Sequence, residues 1–510
     1  MEKPKPRELD TTSQTHILFL DMLEVEDTHN VEVVVNPAEK CSANPVLPLG
    51  DVGEWDFRRT SNWGGTTIFD EDEKIFKMWY IGQGVENDDF AGIGYAVSQD
   101  GIYWQKPRLG LYEYRGSKEN NIVFQSPTGI KIYGVVMDGM CDHFTLTKDA
   151  REEDAAKRYK GWTRIYYEQE DTNVFFPMYS ADGIHWEVGS APVAYPTIDP
   201  TNVIVDDEDP DPGRRIKFYG NLHDPDRRIG HRDMGYGPDF EQCAPSPHNP
   251  VLEPVEGMEH TIHLFTAIRY RGYYVMLYNY NLWLDYYGQG GDFDVRKEDP
   301  RVPEPKTGAF VGDIRLAVNR DGVGKFRRVN MHQPVVARGE KGEWDSASLV
   351  TSAPIVHGDT IYIFYSAVDE SGGASPNAWL ENIPCPIRTG LATLRLDGFT
   401  CLQSRDRLTP ATVTTVPISV KGPKETKLIL NASDFVPYRD WIEVEVLDAG
   451  TGSPVAGYGR EDCTDVVREG IRIPVAWRER QTLEGVTSEE VQLRFILYGK
   501  VRLYSFTFTS

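Results

Sequence analysis

One short pattern recurs along this chain and constrains it more than any other feature. Residues 92–101 read GIGYAVSQDG and run on into IYW, and residues 174–183 read VFFPMYSADG and run on into IHW. Residues 313–322 read DIRLAVNRDG, and residues 389–398 read TGLATLRLDG. Each is an apolar strand followed by Asp-Gly and a second extended stretch. Glycine takes a positive φ at little cost, so Asp-Gly closes a tight hairpin. An aromatic strand precedes each copy: KMWYIG (77–82), YKGWTRIYY (159–167), YYVMLYNY (273–280) and IYIFYSAVD (361–369). A fifth copy, RRIKFYGNL (214–222), has a weaker partner at RIGHRDM (228–234). One more extended segment comes ahead of each aromatic strand, such as GGTTIFD (64–70) and SAPIVHGD (352–359).

Repeated units of four strands stack radially. The count predicts an all-β chain: a five-bladed β-propeller over residues 1–409, with 1–44 leading in. From about Pro410 the aromatic repeat stops. KLILNAS, WIEVEVLDA, GIRIPVAW, VQLRFILYG and VRLYSFTF alternate without it, predicting a C-terminal β-sandwich over 410–510. A six-bladed propeller of the sialidase type is the runner-up. SQDGIYW and SADGIHW resemble that family's Asp-box, but they lack its extra residue between Asp and Gly.

Composition narrows the partners. Among 510 residues, 54 Lys+Arg against 78 Asp+Glu leave a net charge of −24. Phosphate backbones and anionic membranes are bound by Lys and Arg, so nucleic acid and membrane surfaces are poor partners for this chain. No run approaches the ~20 apolar residues of a membrane span, and Ile17–Leu20 is too short for a signal core, so a cytoplasmic location is expected. The six cysteines (41, 141, 243, 385, 401, 463) form no CxxC pair, which speaks against a zinc site or a disulfide framework.

Topology sorts the many acids. In an antiparallel blade, the connections entering the innermost strand and those between the second and third strands share one face. The Asp-Gly turns lie on the other, so Asp100, Asp182, Asp321 and Asp397 read as turn-formers. The first face carries the long polar loops 82–91, 282–312 and 370–388. Loops of that length are usually functional. Its carboxylates include Asp56 in GDVGEWDFRR, Asp199 in DPTN, Glu259 in EGMEHTIH, Asp313, and Asp345 in GEWDS. GEWD occurs twice, at 53–56 and 342–345, which suits tryptophan packing as well as chemistry.

Acids around a propeller axis with Trp, Tyr and His suit a carbohydrate, whose C–H faces stack on rings and whose hydroxyls take charge-assisted hydrogen bonds. The five-unit repeat, the SxDGxxW turns, GLATLRLDGF and the trailing sandwich resemble the five-bladed glycosidases. That superfamily comprises the invertases and levansucrases, arabinanases and β-xylosidases (families 32, 43, 62, 68) and related phosphorylases. LFLDML, NPVL, KMWY and YAVSQDGIYW resemble uncharacterised bacterial family-32-like proteins most closely. The invertase motif Asn-Asp-Pro-Asn-Gly is absent, HDPDRR (223–228) has His where Arg-Asp-Pro would need Arg, and no Glu-Cys dipeptide occurs.

The resemblance implies a hydrolase of carbohydrate metabolism that cleaves a small fructo- or arabino-furanoside or an oligosaccharide. It would use an Asp from the first blade and a Glu from a later one. By position, Asp56 is the expected base or nucleophile and Glu259 the expected general acid, with Asp313 and Asp199 as orienters. Arg58, His223, His260, His263, Trp344 and Asp345 are the expected sugar contacts. No cofactor is required, although acids on the axis would suit Ca²⁺. Alternatives are a phosphorylase or transglycosylase, with Arg58, Arg59, Arg227, Arg228 and His231 around the anion, and a non-catalytic sugar-binding propeller. The sandwich is expected to pack on the propeller or to join a second subunit as a homo-oligomer.

Overall fold

The computed structural model describes residues 6–12, 15–84, 91–132, 135–193, 197–222, 233–255, 261–284, 309–369, 387–421 and 425–509. Among them the chain is all-β. Helix is confined to 3-10 turns at Ala155–Lys157, Pro212–Arg214 and Arg460–Asp462. No helix there is long and apolar enough to cross a membrane.

The aromatic repeat folds into five antiparallel arrays, the fourth and fifth joined into one nine-stranded sheet by a parallel bridge between Gly312 and Ser348. The first is Arg59–Asp70, Ile75–Gln83, Ala91–Ser98 and Ile122–Phe124. The second is Phe144–Lys148, Tyr159–Tyr167, Thr172–Ser180 and Glu187–Val188. The third is Thr197–Val205, Ile216–Leu222, Asp233–Gly237 and Ala244–Pro245. The fourth is Thr261–Tyr270, Tyr273–Leu284, Ala309–Asn319 and Arg327–Arg328. The fifth is Ser348–Thr351, Thr360–Val368, Arg388–Arg395 and Glu39–Lys40. The leading strand of each array touches that of the next, and the fifth returns to the first. The array taken last is thus completed by a strand from near the N-terminus, through Ala392 against Lys40 and Thr393 against Glu39.

The Asp-Gly turns behave as their chemistry demands at three of four places. Asp100 accepts from the backbone N–H groups of Ile102 and Tyr103, and Asp182 from those of Ile184 and His185. Asp321 accepts from Val323 and Gly324. Gly101, Gly183 and Gly322 hold φ of 77°, 78° and 71°, where a side chain would be strained. The fourth turn departs from the expected pattern. Asp397 itself takes the positive φ, 61°, and the chain leaves the fifth array instead of adding its outer strand.

Between arrays, buried charge forms a relay that hydropathy does not reveal. Asp70, at the end of the first leading strand, accepts Lys77 of its own array and then Lys148 and Tyr159 of the second. Asp149, just past the second leading strand, holds Lys160 and, from the third array, Arg215. Asp206, just past the third, holds Lys217 at 2.7 Å and takes Arg269 and Tyr274 from the fourth. Burial pushes the Asp70 carboxyl up, but the bonds from Lys148, Tyr159 and Lys77 outweigh it and keep the group well below the usual carboxylate range.

Two further six-stranded sheets share one apolar core that includes Leu402, Leu428, Val444, Val446, Phe495 and Phe506. Lys427–Ser433, Trp441–Asp448, Gly470–Pro474, Glu490–Tyr498 and Arg502–Thr509 lie where the sequence predicts strands. The expected boundary at 410 needs correction. Leu9–Asp10, His16–Leu18, Val25–His29, Val31–Val35 and Thr400–Ser404 all pair into these two sheets, so the lead-in segment belongs mainly with the C-terminal strands. Pairing between segments nearly 500 residues apart leaves no local trace in composition. Asp397 ties the two parts together, accepting from His16 at 2.8 Å, from Ser505 at 2.7 Å and from Tyr270 of the fourth array.

Candidate functional site

Each leading strand is entered at the same end of the ring. There Arg59 pairs with Gln83 and bridges to Ile387, and Cys141 donates to the carbonyl of Ala91. The ends of the long polar connections are therefore brought to the strand entries, as topology requires. Three of the five leading strands break register close to this end. The breaks fall between Ser61 and Thr66 in the first, either side of Asp199–Pro200 in the third, and between Ile262 and Phe265 in the fourth. A bulge turns a side chain out of the regular pleat, and bulges collect beside active sites. Trp63 and His263 lie within such breaks and Asp199 borders one.

Around the first of these breaks the side chains are polar and close. The Arg59 guanidinium stacks on Trp63, 4.8 Å from the ring centroid, and Trp63 meets His143 edge-on at 6.3 Å. Asp142 accepts from His143 Nδ1 at 3.0 Å and receives the fork of Arg164 through Nε at 3.1 Å and through Nη2. Burial raises the Asp142 carboxyl, but the charges and hydrogen bonds of Arg164 and His143 prevail and hold it at about 2. Asp142 is thus a fixed anion that orients an imidazole. Arg59 is 2% exposed, and its Nε and Nη2 have no hydrogen-bond partner. Burial pulls it down to about 10, partly offset by Asp142. Further along the leading strands the packing is small and polar: Ser366 donates to Asn62, Asn62 to Ser352, and Thr266 to the Ser352 carbonyl.

The expected site residues separate into three groups. Asp56 needs correction. It is 2% exposed and accepts from the Tyr80 hydroxyl and the Lys106 ammonium, both at 2.6 Å. Its neighbour Trp55 stacks on Tyr80 at 5.6 Å over the glycine strip of Gly82 and Gly94. The second GEWD repeats this assembly. Asp345 accepts from Tyr365 at 2.9 Å and Lys40 at 2.7 Å, while Trp344 stacks on Tyr365 at 5.6 Å against Gly390. Both motifs pack within their own array, and the Asp56 and Asp345 carboxylates are each taken up there by a tyrosine and a lysine. Asp313 is likewise committed, clamped by Arg315 at 2.5 and 2.9 Å.

Arg58 stands next to Arg59 at the strand entry, its N–H on the Gln83 carbonyl. Asp199 pairs opposite Asn221, and His263 lies within the fourth strand's break. Glu259, His260 and His223 lie outside the described residues, as do Arg227, Arg228 and His231. Asp142, His143 and Arg164 were not anticipated. The signal was available: the aromatic strand 159–167 needs an inner partner shortly upstream, which is FTLTK (144–148), placing CDH at its entry. Among the described residues no group of three or more His, Cys, Asp or Glu is placed to hold a metal ion, and the described cysteines are free.

No protein-family model matches the chain, and no curated protein matches it. Among solved structures it is similar to a glycosyl hydrolase from Bacteroides ovatus at 13% identity, covering 71% of this chain and 94% of that one with a TM-score of 0.45. It is also similar to a structure from the family of mannoside phosphorylases containing glycoside hydrolases that target β-1,2 mannosidic linkages. There the identity is 14%, the coverage 71% and 94%, and the TM-score 0.46. An N-acetylgalactosamine deacetylase from F. plautii shares 12% identity over 72% of this chain and 96% of its own, with a TM-score of 0.45.

Proposed function

We propose that this chain is a glycosidase built on a five-bladed propeller with a C-terminal sandwich, acting on a small furanoside or oligosaccharide at the mouth of the ring. The observation that carries this reading is the coincidence, at one end, of three bulged leading strands with the Arg59–Trp63–His143–Asp142 cluster. Trp63 offers a face for sugar C–H groups, and the charged groups suit hydroxyls. Glycoside cleavage needs one carboxyl that is protonated and one that stays ionised. In this reading Glu259, two residues ahead of the fourth leading strand, gives its proton to the leaving oxygen. Asp199, on the third leading strand, is the ionised partner in place of Asp56. The fixed Asp142 carboxylate orients His143 toward the sugar.

A screen of aryl-glycosides with fructo- and arabino-oligosaccharides tests the activity, and Glu259→Gln tests the assignment. Turnover should fall by at least about 100-fold, the usual contribution of a general acid, while the unfolding midpoint stays put. Unchanged turnover in that variant removes Glu259 from the mechanism. Phosphorolysis is the second reading, favoured by the buried, unpartnered Arg59.

A further inference from the structure

Arg59 is a buried cation at the strand entries whose bonding is incomplete among the described residues. It is 2% exposed, yet two of its three guanidinium nitrogens, Nε and Nη2, meet no acceptor. Its stacking on Trp63 at 4.8 Å supports the plane of the group but satisfies none of its N–H donors. The carboxylate nearest in charge, Asp142, is already occupied by Arg164 and His143. A buried guanidinium with idle donors costs stability, because its desolvation is not repaid. Lys77 and Lys217, buried to the same degree, are treated differently, each holding at least two acceptors. Arg59 sits where the first leading strand bulges.

We propose that Arg59 is the anchor of an oxyanion subsite in the mouth, taking through Nε and Nη2 the two oxygens of a carboxylate or phosphate. That edge of the guanidinium matches two oxygens of such a group side by side, a geometry that lysine cannot offer. The oxyanion has two sources: inorganic phosphate bound beside the sugar, or an acidic group carried by the sugar itself, as in a uronic acid. The inference rests on the glycosidase reading only for the statement that a sugar is its neighbour.

The experiment is thermal unfolding of the whole chain with phosphate, glucuronate, galacturonate or neutral glucose, on the wild type, Arg59→Met and Arg59→Lys. A ligand that binds only the folded state raises the midpoint, by roughly 3–8 °C near saturation. Wild type should respond to phosphate or to the uronates and not to glucose; which of the two acts identifies the source. Arg59→Met should lose the response and, without ligand, unfold at a midpoint no lower than wild type, because it discards an unpaired cation. Arg59→Lys should respond at least tenfold more weakly in concentration. Two results overturn the proposal: a wild type indifferent to all three anions, or an Arg59→Met variant that keeps the response. Marked destabilisation of the ligand-free Arg59→Met variant also counts against it, because Arg59 would then be structural. Anion binding at Arg59 without turnover of any glycoside sinks the glycosidase reading and keeps this one. Turnover of neutral glycosides that Arg59→Met leaves intact, with no anion response, does the reverse.

Discussion

Replacing Asp56 by Asn separates a packing role from a chemical one. Asp56 accepts two hydrogen bonds at 2.6 Å, from Tyr80 and Lys106. Asparagine keeps the shape, and its amide oxygen can still take the Tyr80 hydroxyl. Lys106, however, loses its counter-charge. Stranding a fully buried charge costs about 3–5 kcal/mol, but the Lys106 side chain is 19% exposed and its ammonium can swing into water. The cost should therefore be near that of one charge-assisted hydrogen bond, about 1.5–3 kcal/mol. Asp345→Asn should cost a similar amount, because Lys40 is 29% exposed and Tyr365 donates in the same way. Urea titration of wild type and both variants measures the loss, and turnover per folded molecule should stay within a few-fold of wild type. The reasoning fails if Asp56→Asn changes stability by less than about 0.5 kcal/mol, the range of an ordinary surface substitution, while turnover collapses. That outcome would return Asp56 to the chemistry.

Lys217→Met tests the relay between arrays. Both Lys217 and Asp206 are 0% exposed, so no escape to water exists, and the loss should reach about 3 kcal/mol or more in urea unfolding; a loss below 1 kcal/mol would show the relay to be incidental. Gly82→Ala drives a methyl group to 2.1 Å from the Trp55 ring and should cost about 1–3 kcal/mol of overpacking, with near-ultraviolet dichroism reporting the displaced indole. Asp397 governs acid stability. Burial acts to raise its carboxyl, but the bonds from His16, Tyr270 and Ser505 hold it at about 2 against an ordinary 3.8. A lowered folded value means stabilisation present above the unfolded pKa and lost as pH falls through the folded one. About 2 kcal/mol should thus disappear between roughly pH 4 and pH 2, and Asp397→Asn should flatten that part of the profile.

Alternation and Asp-Gly turns are local signals, so the aromatic strands 159–167 and 273–280 and the C-terminal strand 427–433 could be read off the chain to within a residue or a few. Bonds between segments far apart in sequence are different. Nothing near Asp56 in sequence marks Lys106 as its partner, and nothing near Asp397 marks His16 or Ser505. The doubled GEWD did carry a warning, since a motif present in two arrays serves what arrays have in common, which is packing. The CDH entry at 141–143 was missed because its strand is five residues long and lacks the aromatic signature of its neighbours.

Period and turn chemistry, both encoded within ten residues or so, were enough to make this chain an all-β repeat and to say at which end of each unit its turns and its long connections lie. Which acid is buried against which base, which lead-in strands complete the last array and the C-terminal sheets, and that the buried Arg59 is left with idle donors were decided only in three dimensions. The reason is physical: hydrogen bonds and ion pairs between distant segments depend on where the closed ring sets them, and a carboxylate is the same letter whether it faces a lysine, a backbone turn or an open mouth.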